Sequence, residues 1–252
     1  MGLKYVIGAA ADTLLQSILS SRAFPLMRYF PRGRSWLYDA QRFAGTRDLK
    51  VAFDVGANIG QTVHDMLRYL PRLRIYCFEP ISSTFDALVA RYGTRANVSC
   101  IRQALGSERG KATVQLRRDS GYNSLLVTDA GAGYLTGSQE DVEINTVDLF
   151  CAEQQIERID LLKMDVQGYE LEVIKGAKRM LSSNSVRFVF AEVGFRPNNL
   201  EIQMFGDFNS AMSDCGFLFS GFYDLLRYGD NKEFTLFANA LYMHPKFGMP
   251  QS

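Results

Sequence analysis

Histidine, tryptophan and cysteine are scarce in this chain, at two, one and four of its 252 residues. Cys77, Cys100, Cys151 and Cys215 stand far apart with no C-x-x-C pair, and His64 and His244 are isolated from them. That spacing offers no sequence-local zinc site, so no metal is expected. It offers no disulfide framework either, which fits a reducing cytoplasm. Cys77 and Cys100 fall inside apolar runs and read as small buried hydrophobes.

An excess of one charge is also missing. Lys and Arg number 28 against 27 Asp and Glu, a net charge of +1, and the basic residues are scattered. A nucleic-acid enzyme would carry a basic stripe, so the expected partner is a small molecule or a glycan. No apolar stretch reaches the ~18 residues of a membrane span. Asp12 and Gln16 interrupt the first apolar run, which therefore lacks the core of a secretory signal. Leu14, Leu15, Ile18 and Leu19 sit at helical spacing instead. They predict an N-terminal helix, packed on the domain or touching a membrane surface or a partner. Proline and glycine never cluster into a linker, and no internal repeat is visible.

What is present is a change of texture near residue 46. Residues 1–45 read as a helical extension broken at Pro25, Pro31 and Gly33. Residues 46–252 read as one α/β domain of alternating apolar runs and helical patterns. The runs are Val51–Val55, Arg74–Phe78, Val98–Ile101, Ile159–Met164 and Val186–Val193. The helices between them are Gln61–Tyr69, Ser83–Arg91, Glu170–Leu181 and Glu201–Cys215, with Ser82 or Ser83 as the expected N-cap of the second. Lys111–Arg117 and Glu140–Val147 alternate with period two and predict an added hairpin. Glu233–Tyr242 follows the turn Asp230-Asn231-Lys232 and predicts a strand antiparallel to Phe217–Tyr223. The expected architecture is a doubly wound, mostly parallel, Rossmann-like sheet closed by a C-terminal antiparallel strand.

The segment Phe53-Asp54-Val55-Gly56-Ala57-Asn58-Ile59-Gly60 runs from a buried strand through a glycine turn into a helix. A dinucleotide fingerprint carries glycine where this chain has Asp54. A carboxylate repels pyrophosphate by about 1 kcal/mol or more at short range, and attracts a sulfonium or ammonium. Glu79, in Phe78-Glu79-Pro80, ends the second strand where a nucleotide ribose would lie, and a carboxylate there accepts from both hydroxyls.

These motifs, with Ala104-Leu105-Gly106 and Lys163-Met-Asp-Val-Gln-Gly-Tyr-Glu170, resemble the FkbM-type family of S-adenosylmethionine-dependent methyltransferases. The likeness runs from about Val51 to Tyr242. It implies the class I methyltransferase fold, S-adenosylmethionine as cofactor, and cofactor contacts at Asp54, Gly56, Ala57, Asn58, Gly60, Glu79 and Pro80. Gln103 and Ala104 would line the adenine. The family motif reads D-V-E-G where this chain has Gln167, a departure on the acceptor side.

An alcohol acceptor needs positioning and a general base, sought at the carboxyl ends of the strands. Asp165 is the first candidate and Glu192 the second. Lys163 shares a strand face with Asp165 and could orient it. Acceptor contacts are expected from Gln167, Tyr169, His244 and the loop bearing Asn123 and Ser124. The expected reaction is methylation of a hydroxyl on a sugar, glycolipid or polyketide. A nitrogen or macromolecular acceptor, or a scaffold without turnover, is the alternative.

Overall fold

A computed structural model describes residues 31–45, 48–117, 125, 135–196 and 202–247. Two compact units divide the chain at Ser35/Trp36, and of the first only residues 31–35 are described. The expected N-terminal helix lies outside the described residues. In the second unit, helix α1 (Trp36–Ala44), which the sequence pattern assigned to the extension, packs into the core.

Strand β1 (Val51–Val55), helix α2 (Gln61–Tyr69), β2 (Arg74–Phe78), α3 (Ser82–Tyr92) and β3 (Val98–Ile101) form two βαβ units. After a side sheet come β7 (Ile159–Met164), α5 (Glu170–Gly176), α6 (Lys178–Ser182), β8 (Val186–Gly194), α7 (Phe205–Asp214), β9 (Leu218–Tyr228) and β10 (Phe234–Met243). The seven-stranded sheet has the order β3-β2-β1-β7-β8-β10-β9. Its first five strands are mutually parallel and β10 runs antiparallel to both β8 and β9. The expected doubly wound sheet with a C-terminal antiparallel strand is the one observed.

Strands β7 and β8 are buried almost throughout because helices cover both faces of a parallel sheet. All six residues of β7 are buried. On β1, Phe53 and Val55 enter one core cluster with Phe78 and Phe150, while Ala52 enters another with Trp36 and Phe190. Trp36 stacks on Phe190 at 4.1 Å, which fixes α1 against the sheet. By the same alternation Asp54 shares the face of Ala52, so a carboxylate is carried into an apolar layer.

The side sheet pairs β6 (Leu135–Asn145) with β4 (Ala104–Leu105) and β5 (Gly110–Arg117). It holds the expected hairpin, extended by one short parallel strand, but the second hairpin strand, expected at Glu140–Val147, spans Leu135–Asn145. Three local expectations change. The N-cap of α3 is Ile81, because Glu140 of β6 takes hydrogen bonds from the amide and hydroxyl of Ser82. The single helix expected over Glu170–Leu181 breaks at Ala177. Helix α4 (Val147–Glu153) was not anticipated, although Thr146 caps it through the amide of Leu149 at 3.0 Å.

Candidate active site

A cavity of about 260 Å³ opens at the carboxyl ends of β1, β2 and β7. Its floor is the turn after β1. Gly56 has φ +74°, and a Cβ there would lie 2.0 Å from the carbonyl oxygen of Asp165. Only glycine satisfies both constraints. The amides of Gly56 and Ala57 both donate to the carbonyl of Phe78, which ties the turn to the end of β2. Gly60 answers to packing as well: its φ is +88°, a Cβ would meet the Tyr92 ring at 2.3 Å, and it does not line the cavity.

Glu79 is buried on the cavity wall and is already engaged. One carboxylate oxygen accepts from the amide of Ile81 at 3.0 Å and the hydroxyl of Thr84 at 3.1 Å; the other accepts from the amide of Asn58 at 2.9 Å. A carboxylate has about four lone-pair sites. Glu79 therefore has room for one further donor, not for both ribose hydroxyls as the sequence reading had it. Burial pushes its pKa up, against the pull of those three bonds.

Across the cavity, Lys163 changes the electrostatic argument built on Asp54. Its ammonium lies 2.9 Å from Asp54 and donates to the carbonyl of Gly56 at 3.3 Å. Asp54 is fully buried, does not line the cavity, and among the described residues receives no other donor. The pair is close to neutral as seen from the cavity. Burial opposes the charge on Lys163, but Asp54, Asp165 and Glu192 outweigh it, so its pKa is raised and it stays an ammonium. The negative character that favours a cationic ligand thus comes from Glu79 and Asp165. Asp54 supplies it only indirectly, by neutralising Lys163.

Asp165 follows β7 with its side chain 43% exposed, enough to meet a ligand. Gln167 donates to its Oδ1 at 2.9 Å, and Lys163 stands 3.7 Å from its Oδ2. Asp165, Lys163 and Gln167 all line the cavity. Glu192 does not. It sits one register step beyond the pair Met164↔Ala191, beside Asp165, and burial together with Asp165 and Glu170 pushes its pKa up to about 8. Glu170, fully buried, has its pKa pushed up to about 7, chiefly by burial. It accepts from the amide of Val166 at 3.0 Å and so closes the turn that carries Gln167.

Of the remaining expected contacts, Ala57, Asn58, Pro80 and Ala104 line the cavity. Gln103 turns aside to Glu143 of β6 at 3.4 Å. Tyr169 packs its ring against Gly106, away from the cavity. His244 is at the wrong end of the sheet: β10 is antiparallel, so its last residues lie beside Arg187 at the start of β8. There His244 is buried against Phe217 and accepts from the amide of Lys246. Asn123 and Ser124 lie outside the described residues. Gln61, Thr62 and an apolar strip of Ile81, Leu105, Val114 and Leu125 also line the cavity. Sequence reasoning missed these. Gln61 and Thr62 were legible as the entry of α2, but the apolar strip is assembled by the side sheet from distant segments.

A family model described as the methyltransferase FkbM domain matches residues 54–219. The chain is 27% identical over 160 residues to the 2-O-methyltransferase NoeI of Sinorhizobium fredii, covering 56% of this chain and 62% of that one. It is 30% identical over 175 residues to methyltransferase sdnD of Sordaria araneosa, covering 57% and 68%. To the hexuronic acid methyltransferase AglP of Haloferax volcanii it is 29% identical over 147 residues, covering 57% and 55%. The match thus spans less than two thirds of NoeI and of AglP. Among the described residues no helix is long and apolar enough to cross a membrane, and no cluster of metal-ligating side chains is found.

Proposed function

Since the chain belongs to the FkbM methyltransferase family, we propose that it transfers the methyl group of S-adenosylmethionine to a hydroxyl of a sugar, glycolipid or polyketide. The observation that carries this reading is Asp165, a half-exposed carboxylate on the cavity wall with its neighbouring ammonium committed to a second acid.

The residues present suit that cofactor. Gly56 leaves bare backbone at the cavity floor, Glu79 keeps one acceptor site for a ribose hydroxyl, and the wall is apolar around Ile81 and Leu105. Two carboxylates on the wall favour a cationic nucleoside and disfavour a pyrophosphate. When bound, S-adenosylmethionine supplies an electrophilic methyl carbon on a positively charged sulfur. The C–S bond would break to leave a neutral thioether as the acceptor oxygen bonds to the methyl carbon, and Asp165 would hold the hydroxyl proton released, a contribution of about 10²–10⁴-fold for a well-placed base. Lys163 is committed to Asp54 at 2.9 Å and stands 3.7 Å from Asp165, beyond hydrogen-bond reach, and its charge offsets the burial that raises the pKa of Asp54. Glu192, with its pKa near 8 and its place off the cavity wall, holds its proton at neutral pH and is the weaker candidate.

Relatives whose names specify 2-O-methylation and hexuronic acid support an acceptor of the saccharide class. Calorimetry with S-adenosylmethionine and with NAD tests the cofactor, and methyl release over a panel of saccharides and polyketides tests the acceptor. Binding of NAD in preference to S-adenosylmethionine would overturn the reading.

A further inference from the structure

We infer that Gln167 is a positioning residue that acts through Asp165, holding that carboxylate off Lys163 so that its lone pairs stay available to the acceptor. The inference rests on the reading of Asp165 as the base.

Lys163 has three protons to donate. One is directed at Asp54 at 2.9 Å and one at the carbonyl of Gly56 at 3.3 Å. The nearest further acceptor is Asp165 Oδ2 at 3.7 Å, beyond hydrogen-bond reach. A half-exposed aspartate has room to swing, and simple attraction would close that gap. The charged groups facing Asp165 are Lys163 on its own strand, Asp54 on β1, Glu192 on β8 and Glu170 on α5. Lys163 is the one that attracts. What opposes it is the amide of Gln167, which donates to Oδ1 at 2.9 Å from the cavity side.

Considerable local structure is spent on putting that amide there. Gln167 has φ 52° and Gly168 φ 90°, two consecutive left-handed residues. A residue with a long side chain rarely takes this conformation, so the surrounding turn must impose it. The turn is anchored by Glu170 accepting from Val166 and by the amide of Asp165 donating to Val55. Asp165 is thereby gripped on both oxygens' sides, by the amide in contact and the ammonium at a distance. Closing on Lys163 would turn a proton acceptor into one half of an ion pair.

The test is a double-mutant cycle of Gln167→Met and Asp165→Asn, with crystal structures of the parent and Gln167→Met. Methionine keeps the length of the side chain and removes the donor. In Gln167→Met the distance from Asp165 to Lys163 should contract from 3.7 Å to about 3 Å. With S-adenosylmethionine and a hexuronate disaccharide as probe, kcat should fall about tenfold while the calorimetric Kd for the cofactor is unchanged. In the Asp165→Asn background the same substitution should cost nothing further. An unaltered distance, an unaltered kcat, or the same tenfold loss without Asp165 overturns the inference. Full turnover in Asp165→Asn alone would instead remove the base reading, so the two failures are distinguishable.

Discussion

Gly56 and Asp165 touch through their backbones: a Cβ on residue 56 would stand 2.0 Å from the carbonyl oxygen of residue 165. The turn after β1 and the turn after β7 are therefore one packed unit, and the cavity lies over their seam. Glycine there serves the protein's own close approach before it serves any ligand.

Gly56→Ala should accordingly destabilise the fold by about 2–5 kcal/mol, the sum of a left-handed backbone and an overpacked contact. Gly110→Ala is the control, since nothing lies within 4 Å of its Cβ position. Urea unfolding of both variants checks this. Equal stability of the two would show that the seam relaxes.

Glu79→Ala should weaken S-adenosylmethionine binding by about 10- to 100-fold and also lower the melting temperature. The second effect follows from the donors of Asn58, Ile81 and Thr84, which would all lose their acceptor. Calorimetry and a thermal melt measure the two losses separately. A variant with weaker binding and parental stability would mean that those three bonds contribute little.

Lys163→Met should cost about 3–5 kcal/mol, because it leaves the buried Asp54 without a counter-ion, to hold an unpaired charge or take up a proton. The double variant Asp54→Leu with Lys163→Met should recover most of that stability. If the double variant is as unstable as the single one, packing and not charge explains the loss.

Stability should fall as pH rises from about 5 to 8. Glu192 has an ordinary value of 4.5 that burial and neighbouring acids raise to about 8, so between those values the folded state binds more protons than the unfolded one. Each such proton lowers stability by up to about 1.4 kcal/mol per pH unit. Glu192→Gln removes one contributor and should flatten the slope, leaving that of Glu170, raised to about 7, and those of Asp54, Asp65 and Glu79, which burial also raises. Denaturation midpoints at several pH values decide it; parallel profiles for parent and variant would place the raised acid elsewhere.

Much of the fold was legible before any coordinates. Strands β1, β2, β3 and β7 begin and end where their apolar runs do, since buried parallel strands are nearly pure hydrophobic segments. The glycine turn, Glu79 and Asp165 were equally legible, because strand ends and left-handed positions leave local marks in composition.

Contacts between segments distant in sequence left no such marks. Nothing local tells that Lys163 pairs with Asp54, that Gln103 turns to Glu143, or that Glu140 displaces Ser82 as a cap. His244 was misplaced although its strand was expected to be antiparallel: the last residue of an antiparallel strand lies at the end of the sheet opposite the carboxyl ends of the parallel strands. The chain's own periodicity and turn chemistry determined which elements form and which residues stand at their tips. Tertiary structure alone decided which charges neutralise one another, because a buried charge takes its partner from whatever neighbour the sheet register brings within reach.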